Sequence, residues 1–360
     1  MGLFGGKNKS LVGLDIGSSG VKVCELEQSG KGAAARFRLQ KIGYAAVPPD
    51  CIVDGDIMDF NAVASAIRQV MADQKIKAKE VAISVSGQQV MVKKVTFPLM
   101  SPTELAESVR WEAESFFPAG QGLDSYALDY AVLEERPNEG NMDVVLVACR
   151  KDKLESYISC VAQAGCVPKI VDVDVFALQN AYEVNHSAGA SDEVVALVNI
   201  GATFTNLTMM VGSRSVFWRD ISWGANRFTD KLMEDWALTR EEAEALKRGS
   251  DAGGRSVDEV QPSLMATADA FADELSRTID FFRSSFKVDR LDRVLLSGGG
   301  ALTPGLVDVL QDRLRVSVDR LNPLQAVEID GRSVDPGTVR DLGCAASVVV
   351  GLALRKVGDR

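Results

Sequence analysis

The feature that most constrains this chain is a short pattern written twice, once around Asp15 and again around Asn199. Val12-Gly-Leu-Asp15-Ile-Gly17-Ser18-Ser19-Gly20-Val-Lys22-Val recurs as Leu197-Val-Asn199-Ile-Gly201-Ala202-Thr203-Phe-Thr205-Asn-Leu. Each copy reads as an apolar strand, a small polar turn carrying glycine, and a second strand of alternating character (Val21, Val23, Leu26; Leu207, Met209, Val211). Two lobes built on one hairpin is the simplest arrangement that accounts for both.

Such a turn can aim successive backbone N–H groups at one phosphate, because small side chains leave room for close approach. In the first copy Gly17, Ser18, Ser19 and Gly20 supply the turn. Asp15 ends the incoming strand, where one carboxylate can hold a hydrated Mg²⁺, and Lys22 on the outgoing strand can reach the same oxygens. Taken alone, this motif serves equally well as a tight structural hairpin. The second copy, with Gly201, Ala202 and Thr203 in its turn and Thr205 placed as the counterpart of Lys22, makes a two-sided phosphate clamp. A third glycine run, Ser297-Gly298-Gly299-Gly300, follows the apolar stretch Val294-Leu-Leu and precedes Thr303-Pro304-Gly305. Bare backbone there lets a flat ring slide in, and Pro304 opens a helix.

Composition removes other chemistries. Fifty acidic against forty basic side chains give a net charge of −10, which repels phosphate backbones and argues against nucleic acid as a partner. The six cysteines, at 24, 51, 149, 160, 166 and 344, form no C-x-x-C pair, and one histidine, His186, is present. Zinc sites and Cys/His or Ser/His/Asp catalysis, which need imidazoles or thiolates at short spacing, are therefore disfavoured. His186 is expected to be a solvated loop residue between Asn185 and Ser187, and the thiols to be reduced, as in a cytosolic protein. The longest apolar runs, 194–200 and 344–354, fall short of the ~20 residues of a membrane span. The stretch from Met1 to Ser10 is too polar for a signal peptide, and Gly6 stands where a myristoylation motif wants Ser or Thr.

The remainder alternates strand-like and helical patterns, an α/β organisation. Strands are expected at Glu80 to Ser86, Gln89 to Phe97, Tyr126 to Leu133, Val144 to Cys149, Lys169 to Val173, Val216 to Asp220 and Val294 to Ser297. Helical periodicity covers about 61–74, 102–116, 151–164, 175–184, 226–236, 240–248, 262–286, 304–314 and 341–355. The helix from 102 carries a full start signature: Ser101 as cap, Pro102 in the first turn and Glu104 completing a capping box. Surface loops are expected at 134–141 and 248–256.

In this order the motifs resemble those of the actin-like ATPase superfamily. Asp15-Ile-Gly17-Ser-Ser-Gly-Val-Lys22 resembles its phosphate-1 motif, Asn199-Ile-Gly201-Ala-Thr-Phe-Thr205 its phosphate-2 motif, and Leu296 to Gly305 its adenosine motif. Asp341-Leu-Gly343-Cys-Ala345-Ala346 is similar to the second connecting helix. The resemblance narrows to the PilM family of type IV pilus assembly through Phe97-Pro98, Glu104-Leu105, Val109-Arg110, Glu112 to Glu114, Phe117-Pro118, Asp129-Tyr130, Asp174 through Asn180-Ala181, and Ile279 to Arg283.

The resemblance implies an actin-like, ribonuclease H-like bilobed α/β fold: two related lobes around a nucleotide cleft, with a small inserted α/β subdomain. It divides the chain into a first-lobe core (10–87), the insert (88–168), a connecting helix (169–190), a second lobe (191–334, with a helical part at about 225–288) and a returning helix (335–360). It implies ATP and Mg²⁺ as ligands, with Glu244 and Lys247 gripping ribose and adenine. The partner it implies is the cytoplasmic N-terminal peptide of the inner-membrane protein PilN, docked beside the insert, with pilus motor ATPases and a platform protein beyond it. The protein would then lie in the cytoplasm, peripheral to the inner membrane, with self-association open to it. Asn199 departs from the acidic residue usual in phosphate 2, so weak ATPase activity is expected, with Asp174, ahead of Asp172, orienting water. Two other readings stand beside this adaptor. A small-molecule kinase would need an acceptor pocket with a base that the sequence does not display. A filament or division protein like MreB or FtsA is disfavoured by a chain that stops at Val357-Gly-Asp-Arg360, without an amphipathic tail, as is the secretion-system relative GspL.

Overall fold

The structure is a computed structural model that describes residues 11–30, 35–117, 122–186, 192–331 and 334–359. The segment around Gly2 and Gly6, Pro118 and Ser187 lie outside them. Both copies of the repeated pattern fold as antiparallel hairpins. Val12–Gly17 pairs with Gly20–Ser29 so that Asp15 faces Lys22, and Val194–Ile200 pairs with Thr205–Val211 so that Asn199 faces Asn206.

Each hairpin anchors its own mixed sheet. The first lobe has six strands in the order Val167–Val173, Glu80–Val85, Val12–Gly17, Gly20–Ser29, Arg36–Ala46 and Val327–Ile329. The second has five, in the order Arg214–Ile221, Thr205–Val211, Val194–Ile200, Arg293–Ser297 and Ser317–Arg320. Val194–Ile200 is buried along its whole length, as expected of a strand covered on both faces. Arg36–Ala46 goes unpredicted because Arg36, Arg38, Gln40 and Lys41 hide its period, and Ser317–Arg320 and Val327–Ile329 are too short to announce themselves.

Two helices connect the lobes, Asp174–Asn185 and Ser347–Ala353. They touch where Gly351 meets Ala177: a Cβ at Gly351 would lie 1.8 Å from the Ala177 carbonyl oxygen, and one at Gly13 would lie 2.3 Å from that of Val349. Only glycine fits at either crossing. The continuous helix expected over 341–355 is instead broken into Pro336–Leu342, a 3₁₀ turn over Gly343–Ala346, and Ser347–Ala353. Gly343, with φ +44°, makes the break and turns the Cys344 carbonyl toward the third glycine run. It accepts from Gly298 N at 3.2 Å and Ser347 Oγ at 2.8 Å.

The helix Pro102–Glu114 begins as expected, with Ser101 and Glu104 forming a reciprocal capping box. It covers a three-stranded sheet ordered Val90–Pro98, Asn141–Arg150, Tyr126–Arg136, and Phe97, Leu105, Val109, Met142, Val144 and Leu146 form the core between them. The following helix, Lys151–Gln163, packs into the first-lobe core through Tyr157, Cys160 and Val161. The long second-lobe helix starts at Val257, ahead of the expected Pro262, because a capping box between Ser256 and Glu259 starts it earlier. His186 corrects an expectation: it is half-buried and stacked on Tyr182 at 4.4 Å between ring centroids. All six cysteines are free thiols and buried. Among the described residues no helix is long and apolar enough to cross a membrane.

Candidate functional site

A cleft of about 430 Å³ opens where the two hairpins face one another. Asp15, Gly17, Ser18, Ser19, Lys22 and Asp174 line its first-lobe side, and Asn199, Gly201, Ala202, Thr203, Glu244, Lys247 and Gly298 to Gly300 its second-lobe side. These residues, spread over most of the chain, are brought into one cavity.

Two expected residues do not face it. Gly20 lies under the Tyr44 ring, where a Cβ would approach Cε2 to 2.3 Å, and the Tyr44 hydroxyl donates to Ser19 O at 2.8 Å. Thr205 is fully buried and donates to Trp223 O at 2.7 Å. The register explains the second miss: Thr205 pairs with Ile200, as Val21 pairs with Ile16, so the counterpart of Lys22 is Asn206. Counting from the acidic or amide position of each copy would have found it.

On the first-lobe side Lys22 Nζ lies 2.8 Å from Asp15 Oδ2. Burial works against this ammonium, but Asp15 beside it outweighs that and holds the Lys22 pKa above its ordinary value. Asp174 accepts from Ser84 Oγ at 2.6 Å, and burial, with Asp15 nearby, pushes its carboxyl up to about 6. Asp172 points elsewhere, into a buried pair with Arg355 at 2.7 Å, which leaves Asp174 as the cleft carboxylate at the helix start.

Opposite, Asn199 Nδ2 donates to Asn206 Oδ1 at 2.8 Å, and Asn206 Nδ2 donates to Asp220 Oδ1 at 2.8 Å. Glu244 and Lys247 are a shielded pair rather than a surface one: Lys247 Nζ sits 2.5 Å from Glu244 Oε1 and 2.8 Å from Thr229 Oγ1. Burial lowers the Lys247 pKa, and Lys247 lowers that of Glu244 against the effect of burial.

The three glycines divide their work. Gly298 has φ +83° and a Cβ there would meet Ile200 O at 2.3 Å; one at Gly300 would meet Ile200 Cγ2 at 2.4 Å. Gly299 meets nothing within 4 Å and presents bare backbone to the cleft. Sequence reasoning missed further lining residues, among them Tyr44, Tyr157, Phe204 and Arg248. Tyr44 is hidden with its strand, Phe204 lies inside the phosphate-2 motif and Arg248 directly follows Lys247 without either drawing attention, and Tyr157 sits on a helix that carries no motif.

Paired hairpins on two sheets, crossed connecting helices and a glycine wall across a cleft define the actin-like ATPase fold. The chain belongs to the PilM family: the family model described as type IV pilus assembly protein PilM matches residues 13–357. A solved structure of a PilM-PilN type IV pilus biogenesis complex is similar over 98% of this chain and 100% of that one, at 27% identity and a TM-score of 0.82. The ethanolamine utilization protein EutJ from Carboxydothermus hydrogenoformans shares the fold, at 15% identity and a TM-score of 0.55 over 96% of this chain and 89% of its own. So does MreB5 of Spiroplasma citri bound to ADP, at 12% identity and 0.50 over 96% and 95%. The fold and family expected from the motifs are both borne out.

Proposed function

We propose that the chain is an ATP-binding adaptor of type IV pilus assembly, which holds the cytoplasmic N-terminal peptide of PilN and couples that inner-membrane protein to the pilus motor ATPases and platform protein. The observation that carries the nucleotide half is the convergence of both phosphate turns, the Glu244–Lys247 pair and bare Gly299 on one cleft. In this reading Gly17 and Gly201 leave room for the phosphates, the N–H groups of Ser18, Ser19, Ala202 and Thr203 hold them while the Gly201 N–H donates to Phe204 O at 2.9 Å, Lys22 neutralises them, and Glu244 and Lys247 hold the ribose and adenine. The cleft's acidic donors are all oxygen, which suits a hard cation, and Asp15 would hold Mg²⁺ through water. When bound, Mg²⁺ supplies charge neutralisation of the phosphates. Asp174, its carboxyl pushed up by burial and by Asp15 nearby, orients a water, while uncharged Asn199 keeps turnover slow.

The peptide half is supported by the likeness to the PilM-PilN complex and by a second groove of about 240 Å³. Val90 to Lys93, Phe116, Val173, Val175 and Trp218 line it. Val90–Pro98 and Arg214–Ile221 are each the edge strand of their sheet, so backbone groups are available to an extended peptide. The Trp218 indole N–H is buried and has no hydrogen-bond partner among the described residues. Such a peptide contributes backbone bonds and one or two apolar anchors against its ordering entropy, so micromolar affinity, roughly −8 kcal/mol, is expected. Titrating a synthetic PilN N-terminal peptide into the full chain and into Met91→Glu tests it: binding lost or weakened at least tenfold in the variant supports the groove, and no binding to the wild type rejects the adaptor reading. Through PilN the protein would sit at the inner membrane without entering it.

A further inference from the structure

A chain of side-chain hydrogen bonds runs from the cleft to the base of the inserted sheet. It starts at Asn199, passes through Asn206, and reaches Asp220, with 2.8 Å at each step. The second oxygen of Asp220 accepts from the backbone N–H of Gly87 at 2.6 Å. Gly87, with φ +95°, stands between the first-lobe strand Glu80–Val85 and the insert strand Val90–Pro98. Next to it, Gln88 Nε2 donates to Ser222 Oγ at 3.0 Å.

Packing ties the same points together. Phe204 closes the phosphate-2 turn, and its ring lies 3.4 Å from where a Cβ on Gly87 would be and 3.7 Å from one on Gly55. Asp220 is the cross-strand partner of Asn206, so the two move as one piece of the second-lobe sheet. Asp220 also lines the second groove, two residues from Trp218 on the same strand, and Trp218 packs in a cluster with Val145, Val173 and Val175. Any rotation of the second hairpin on a bound nucleotide must therefore carry Gly87 with it or break a charge-assisted hydrogen bond.

We propose that Asp220 couples the nucleotide cleft to the peptide groove, so that filling either site changes the affinity of the other. This rests on the assignment of ATP to the cleft and an extended peptide to the groove. Coupling of this kind is reciprocal and amounts to about 5-fold or more where it operates. An ionised carboxylate accepts from both N–H donors, whereas the amide of Asp220→Asn would face one of them with its own N–H and lose that link.

The experiment is calorimetry on the full chain. The PilN peptide is titrated with and without saturating ATP-Mg²⁺, in the wild type and in Asp220→Asn. The readout is the ratio of the two peptide affinities, which a variant that weakens peptide binding equally with and without nucleotide does not move. We expect a ratio at least 5-fold from unity in the wild type and near unity in the variant. A wild type that binds both ligands with a ratio of one, or a variant that keeps the wild-type ratio, overturns the coupling. A wild type that binds neither ligand alone overturns instead the site assignments on which it rests. Hydrogen exchange on the wild type gives a second reading that needs no variant: ATP-Mg²⁺ should change amide protection across residues 85–92 several-fold, and unchanged exchange with nucleotide bound overturns the coupling.

Discussion

Asn199 donates its side-chain amide to Asn206 at 2.8 Å, at the register position where the first lobe pairs Asp15 with Lys22 at the same distance. One hairpin thus presents a charged pair to the cleft and the other a neutral one. The neutral pair is chained onward to Asp220, so its geometry is set by the second-lobe sheet as much as by any ligand.

Slow turnover is the outcome expected from this asymmetry. Steady-state phosphate release on highly purified protein should fall well below the ~10 per second of a median enzyme. Asn199→Asp should raise it by restoring a carboxylate, while costing about 1–3 kcal/mol because the new carboxylate would face the Asn206 oxygen to which the amide donated. Asp174→Asn should lower it. A rate at or above the median in the wild type would contradict the proposed adaptor role.

The glycine run should separate binding from folding. Gly299→Leu should leave the thermal midpoint of the free protein within a degree or two and abolish the shift produced by millimolar ATP-Mg²⁺, because its side chain enters open cleft. Gly298→Ala should lower the free midpoint itself, since it combines positive φ with a clash against Ile200 O. Asp15→Ala should weaken the ATP-Mg²⁺ shift through loss of the ion's carboxylate. Equal effects of the two glycine substitutions would show that the run is structural throughout.

Asp143 should dominate acid sensitivity of the inserted sheet. The Arg136 guanidinium bonds it at 2.8 Å and 2.9 Å and, with Lys94 and Thr96, holds its carboxyl well below the usual range against the effect of burial. A depressed folded pKa contributes stability that is complete above the unfolded value of about 3.9 and is lost as pH falls below it. Urea midpoints measured from pH 5 to pH 2 should drop more steeply in the wild type than in Asp143→Ala. At pH 7 that variant should be less stable by about 2 kcal/mol, as Arg136 and Lys94 lose their shared partner.

The crossing of the connecting helices tolerates no side chain. Gly351→Ala places a Cβ 1.8 Å from Ala177 O, so it should cost about 3 kcal/mol or more, read from the urea midpoint, and weaken ATP binding by spreading the lobes.

Much of the candidate site is legible in the residues because the motifs that mark it are local geometry: a small turn between two strands, repeated, and a glycine run after a third. Those signals are short-range, and Asp15, Lys22, Asn199 and Gly299 could be named from them. The capping boxes at Ser101 and Ser256 are local in the same way, although the proline inside its helix masks the second.

What the tertiary structure alone decided are relationships set by pairing and by long-range approach. Register made Asn206, not Thr205, the partner of Asn199, since one residue of slip on a strand turns a side chain to the other face. Close packing of distant backbones made Gly298, Gly300 and Gly351 obligatory. The Arg355 pair turned Asp172 away from the cleft and left Asp174 in it. Asp220 carries no motif at all, and only the tertiary structure brings the second-lobe sheet and the root of the insert together at its carboxylate.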